Sequence, residues 1–226
     1  IENHSAVDRM LTVIWNVIAP GGKGGAYANS YVTVPAGGSA DARQTLVVAQ
    51  PLRWSPDTPH LYRLETEVYD GDTRMETILN ETSACLDRES TTFGIRMIDY
   101  TVDRGFLLNG QPLNMRGGCV HHDCGPLGAA SIDRAEERKI ELLKASGYNA
   151  VRCAHNPPAP AFLDACDRLG ILVMDEPFDV WRAEKIPYDY HRHFDKWWRD
   201  DLDSMLLRDR NHPSVIMWSI GNEVPE

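Results

Sequence analysis

The residues best suited to chemistry stand where short apolar runs stop. The clearest case is Val215-Ile216-Met217-Trp218-Ser219-Ile220, which ends abruptly in Gly221-Asn222-Glu223. A carboxyl group beside a carboxamide can move a proton while the amide grips a hydroxyl. Three earlier runs end in the same way. Residues 113–120 lead into His121, His122 and Asp123, residues 149–153 into His155 and Asn156, and residues 171–174 into Asp175 and Glu176. Imidazoles, amides and acids on one rim suit a polyhydroxylated ligand such as a sugar, to which Trp181 or Trp218 could offer an apolar face.

Each of these runs has the length and composition of a strand buried on both faces. Between them lie helical patterns at 134–146, 161–169 and 193–209. The first two are closed by Gly147 and Gly170, and the third carries Phe194, Trp197, Trp198, Leu202, Met205 and Leu206 as an expected buried stripe. Strand and helix thus alternate from Phe93 onward. That pattern predicts parallel strands joined by right-handed crossovers, in either a doubly wound sheet or a (β/α)8 barrel. In both, ligands bind at the carboxyl ends of the strands. No glycine-rich phosphate loop follows any strand, which argues against a nucleotide-binding version.

The first ~90 residues follow other rules. Strand signals at 11–18, 30–34, 43–50 and 61–69, with a hairpin turning at Asp70-Gly71-Asp72 into 75–84, are separated by Gly- and Pro-rich turns. They predict an immunoglobulin-like β-sandwich over residues 1–92, a structural neighbour for the α/β part at 93–226.

Composition narrows the partners. The 226 residues are 42% hydrophobic and carry 33 acids against 23 bases, for a net charge of -10. A globular core is affordable, and with no basic stripe neither nucleic acid nor an anionic membrane is an expected partner. No apolar stretch approaches the ~20 residues of a membrane-spanning helix. The five cysteines form no CxxC pair and read as buried thiols. No targeting segment stands out, which leaves a bacterial cytoplasm or periplasm open as the setting. The opening at Ile1 and the close at Glu226 suggest a fragment. Two other readings deserve a place. His121, His122, Asp123 and Cys124 with Cys153 and His155 have zinc-ligand chemistry, although their spacing matches no common template. A non-catalytic carbohydrate-binding or scaffolding module is the third.

Several longer motifs resemble one enzyme family. Phe93-Gly94-Ile95-Arg96, Leu108-Asn109-Gly110-Gln111-Pro112, Arg116-Gly117-Gly118-Cys119-Val120-His121-His122-Asp123, Val151-Arg152-Cys153-Ala154-His155, Asp175-Glu176 and Arg210-Asn211-His212-Pro213-Ser214-Val215 through Glu223 are similar, in order, to the family 2 glycoside hydrolases. The β-galactosidases are the nearest group, with β-glucuronidases and β-mannosidases as relatives. The resemblance implies a sandwich followed by the N-terminal half of a TIM barrel, cut after its fourth strand, and retaining hydrolysis of a terminal β-galactoside. It implies Glu223 as general acid/base, Asn222 as the amide for the sugar 2-hydroxyl, and His121 and His155 as lining of the sugar subsite. His122, Asp179 and Trp181 fall in the corresponding segments. The family's nucleophile is a second Glu on a later strand. Glu226 cannot replace it, so residues 1–226 alone are expected to be inactive. A homo-oligomer is the expected assembly of the parent. Some β-galactosidases of the family bind Mg²⁺ after the third strand. The segment Glu176-Pro177-Phe178-Asp179-Val180-Trp181 departs from their pattern, so no metal ligand is assigned and Mg²⁺ stays an option for the parent enzyme only.

Overall fold

The computed structural model describes residues 1–22, 25–71 and 84–224. The chain divides into two compact units, residues 1–52 with 62–93, and residues 53–61 with the chain from 94 onward. The second unit therefore takes in 53–61, which the sequence reading gave to the first.

In the first unit β1 (Arg9–Ile18), β2 (Gly25–Val34), β3 (Tyr62–Asp70) and β4 (Cys85–Phe93) form one antiparallel sheet in the order β2-β1-β3-β4. Central β1 buries Leu11, Thr12, Val13, Ile14, Trp15 and Val17, whereas edge strand β2 alternates between exposed and half-buried positions. Among the described residues the unit holds this one sheet, and a sandwich needs a second. Residues 43–50, expected as a strand, join no ladder. Their side chains lack a face to bury, Val47 is exposed, and the Thr45 amide bonds the neighbouring Gln44 side chain instead. The hairpin expected into 75–84 lies outside the described residues except Ala84, and the described partner of β3 is β4. Asn3, which heads a glycosylation sequon, is buried, with its amide bonded to the Val7, Val34 and Pro35 carbonyls.

The second unit opens with a small antiparallel sheet of β5 (Ile98–Thr101), β6 (Gly105–Leu108) and β7 (Gln111–Pro112). The parallel strands β8 (Gly117–Val120), β9 (Ala150–Cys153), β10 (Leu172–Asp175) and β11 (Val215–Trp218) follow. They alternate with α1 (Asp133–Ala145), α2 (Pro160–Leu169) and α3 (His191–Asp209). Their order in the sheet is consecutive. A doubly wound sheet reverses its order at a switch point, while a barrel does not, so consecutive order favours the barrel among the two expected architectures.

Local chemistry explains the elements. Pro160 starts α2 with its φ preset and no amide to orphan. Gly170 ends it in the left-handed region at φ +73°, its N–H bonding the Cys166 carbonyl. A Cβ there would also lie 2.3 Å from the Pro56 carbonyl oxygen. Ile140, Phe162, Leu163, Cys166, Ile171, Val173 and Val215 form the core between helices and sheet. A second cluster gathers Phe106, Leu108 and Leu172 around fully buried Trp54, whose indole N–H donates to the Asp167 carbonyl at 2.8 Å. In α3 the buried line runs through Phe194, Met205 and Asp209, with Trp198 and Leu202 half-buried between them. Trp197, expected within that stripe, falls on its flank and is exposed beneath the Lys196 ammonium.

Candidate active site

The four strand ends meet as their parallel alignment requires, and backbone bonds fix the last two together. After β10 and β11 the chains run side by side. The Ser219 amide donates to Asp175 O at 2.8 Å, the Asn222 amide to Phe178 O at 3.0 Å and the Glu223 amide to Asp179 O at 3.2 Å. Asn222 and Glu223 are therefore set by the 175–179 segment and not by β11 alone.

Glu176 is the anchor. Its carboxylate is fully buried, 2.7 Å from Arg152 Nη2, 2.7 Å from His155 Nδ1, and 2.6 Å from the Ser219 hydroxyl that donates to it. Burial by itself would push this carboxyl up. Hydrogen bonds from Ser219, His155 and Arg152 outweigh burial and hold it below the usual carboxylate value. The Arg152 guanidinium is raised in turn, chiefly by its hydrogen bond to Glu176. Arg152 Nη2 also donates to Asn222 Oδ1 at 2.9 Å, and Asn222 Nδ2 donates to Asp179 Oδ1 at 2.9 Å. A cation on one side and an anion on the other leave the amide a single sensible orientation. Asp179 Oδ1 lies 3.0 Å from Lys185 Nζ, and Glu223 Oε2 lies 2.6 Å from the same nitrogen. Burial would raise the Asp179 carboxyl, but Asn222 and Lys185 hold it low. One polar chain thus runs from Glu176 through Arg152, Asn222, Asp179 and Lys185 to Glu223, whose side chain is 66% exposed and accessible to a ligand.

The expected residues separate into groups. Asn222, Glu223, His155 and Asp179 belong to the chain of bonds. His121 stands beside it, its ring edge-on to His155 with centroids 5.5 Å apart. His122 diverges from the network and lines a recess with Glu136, Lys139 and Phe162. Trp181 is half-buried, donates to the Ile220 carbonyl at 2.9 Å and stacks on Phe194, so it braces the loop after β11. The zinc reading fails on placement. Cys124 points at Glu136 and Cys153 is buried. Among the described residues the only trio of metal-type ligand atoms close enough to share an ion is Asp164, Asp167 and His212, away from this rim.

The sequence assigns no role to Arg152, Ser219 or Lys185, and marks Glu176 only as a polar strand end. A signal existed for the first. An arginine within the apolar strand Ala150-Val151-Arg152-Cys153 must find a buried anion, and the neighbouring strand offers one at its end. Lys185 lies in irregular chain and gave none.

This geometry can be compared with known proteins. The model of the family described as glycosyl hydrolases family 2, TIM barrel domain, matches residues 101–226. The chain belongs to the glycosyl hydrolases family 2. The general model of family 2 matches residues 1–96 as well. The β-galactosidase BoGH2A of Bacteroides ovatus is 46% identical over all of this chain, which spans 25% of that protein. A solved family 2 glycosyl hydrolase from Bacteroides cellulosilyticus superposes with a TM-score of 0.85 at 43% identity, covering the whole chain and 28% of its own. The β-glucuronidase of Bacteroides uniformis superposes with a TM-score of 0.83 at 28% identity, over 99% of this chain and 25% of that one. The chain therefore spans about a quarter of the length of these relatives.

Proposed function

We propose that the family 2 protein carrying this chain is a retaining glycoside hydrolase that removes terminal β-linked galactose, with Glu223 as its general acid and base. The observation that carries the reading is the bonded path from buried Glu176 to accessible Glu223, which holds an amide and a carboxyl together at the carboxyl rim of parallel strands. Glu223 gives its proton to the glycosidic oxygen as the bond breaks, then takes one from water in the second step. Asn222 spends one amide hydrogen on Asp179 and keeps the other for a sugar hydroxyl. His155 is fixed by Glu176, and His121 stands edge-on beside it.

Retaining chemistry needs a second carboxylate about 5–5.5 Å from the first. The other acids of the bonded path are committed, Glu176 to Arg152, His155 and Ser219, and Asp179 to Asn222 and Lys185. The nucleophile in this reading is a Glu on a later strand of the full-length protein. Galactose is preferred because the relative at 46% identity is named a β-galactosidase, while the β-glucuronidase stands at 28%. Glucuronate and mannose are the alternatives.

The test uses the full-length protein on nitrophenyl β-galactoside, β-glucuronide and β-mannoside, together with an unactivated β-galactoside. Galactoside turnover should dominate. Glu223→Gln should lower turnover of the unactivated substrate by about 100-fold or more. Near-normal turnover by that variant would remove Glu223 from the mechanism, and preference for glucuronide would reassign the sugar.

The residues after β10 do not fit the magnesium arrangement of some family β-galactosidases. Glu176 is saturated by its hydrogen bonds, Phe178, Val180 and Trp181 offer no ligand, and the oxygens of Asp179 and Glu223 converge on an ammonium. No step is assigned to a metal.

A further inference from the structure

Two carboxylates that approach one another need a cation between them or a shared proton. Asp179 and Glu223 meet at Lys185 Nζ, 3.0 Å and 2.6 Å away. The lysine is not a loose surface side chain that happens to reach them. Its loop is tied at the root, since the amides of Lys185 and Ile186 both donate to Asp189 Oδ2 at 2.9 Å. Asp189 also accepts from the His191 amide at 3.0 Å and pairs with the His191 ring, which joins this loop to the first turn of α3. Lys185 thus springs from a braced turn and ends between two acids. Glu223, by contrast, protrudes from the chain after β11, held by its backbone amide on the Asp179 carbonyl and by its carboxylate on Lys185.

We propose that Lys185 is a positioning residue that serves as the resident cation of this site, tethering Glu223 to the Asp179–Asn222–Arg152 chain. The inference rests on the role of Glu223 proposed above. The ammonium is raised by its bonds to Glu223 and Asp179, so it stays charged through the neutral range. With Glu223 ionised, as when it draws a proton from water, both contacts hold. With Glu223 protonated, the ammonium keeps Asp179 and leaves the acid aimed at the leaving oxygen. As the proton leaves, the ammonium meets the carboxylate that forms, so losing Lys185 costs most where proton donation matters most, with a poor leaving group.

The experiment compares wild type, Lys185→Met, Lys185→Arg and Glu223→Gln in the full-length protein. It reads kcat/KM, which reports the bond-breaking step, on an activated nitrophenyl galactoside and an unactivated alkyl galactoside, with and without chelator. Lys185→Met should lose about tenfold on the alkyl substrate, a fraction of the general-acid contribution, and less on the nitrophenyl one. Lys185→Arg should recover most of the loss. Chelator should leave the wild-type rate as it was. Equal losses by Lys185→Met on both substrates would make the lysine merely structural, and no loss on either would remove it from the site. A wild-type enzyme silenced by chelator and restored by Mg²⁺ would overturn the resident-cation role. If Glu223→Gln shows no leaving-group dependence, the assignment of Glu223 falls first. If it does and Lys185→Met does not, only the present inference falls.

Discussion

Asp175 and Glu176 are adjacent, both fully buried, and behave oppositely. Glu176 points to Arg152, His155 and Ser219 and stays ionised. Asp175 has no hydrogen-bond donor on either oxygen, and its neighbour is another buried acid, Asp209, which Arg208 holds. Burial first, and then Asp209, raise Asp175 to about 7. A proton between the two carboxyls is the partner its oxygens lack. The sign follows from linkage. An unfolded Asp releases its proton near ~3.9, so between there and about 7 the folded chain binds the extra proton. Stability from this group is full below the unfolded value, declines as pH rises to about 7, and stays reduced above it. Asp175→Asn, which donates to Asp209 at every pH, should stabilise the protein more at pH ~8 than at pH ~5. Thermal unfolding across that range would show it, and an unchanged pH dependence would refute the shared proton.

Elements are where the sequence was most informative. The helices at 134–146, 161–169 and 193–209 correspond to α1, α2 and α3 within two residues at each end, since capping and periodicity are local properties. Where local chemistry and packing converge, single positions become sensitive. Gly170 satisfies the helix end through its positive φ and also leaves room for the Pro56 backbone. Gly170→Ala is expected to destabilise the protein by about 2 kcal/mol or more, above the ~1 kcal/mol typical of residue changes at such backbone sites, because it adds a backbone clash. A shift in unfolding midpoint below half that size would mean that the 53–61 segment yields. Propensity misled at 43–50, where β-prone residues had no sheet to join, and at Trp197, where periodicity left two flanks to choose between.

On the scale of the molecule, the parallel sheet has β8 and β11 as its edges, and their backbone groups lack a neighbour among the described strands. Met115, Leu172, Ile216 and Met217 line an apolar hollow over the same sheet. A polypeptide restricted to residues 1–226 is expected to self-associate through such edges and to hydrolyse no galactoside, because it would bring one carboxylate of the required pair. Light scattering and a nitrophenyl galactoside assay test both points. A monodisperse monomer would count against the first, and measurable turnover against the second.

The order of strands and helices and the polar ending of each strand were legible in the amino-acid sequence, because each rests on spacing within one element or on a contiguous motif. The tertiary structure alone decided which polar ends share bonds. Glu176 became the anchor when Arg152 and His155 from the β9 end and Ser219 from the β11 end converged on it, and Trp181 became a brace when its indole found Ile220. Lys185 reaches Glu223 across 38 residues of sequence, through a loop with no periodicity to announce it. Hydrogen bonds of that kind depend on ångström distances between remote segments, and no one-dimensional pattern encodes those distances.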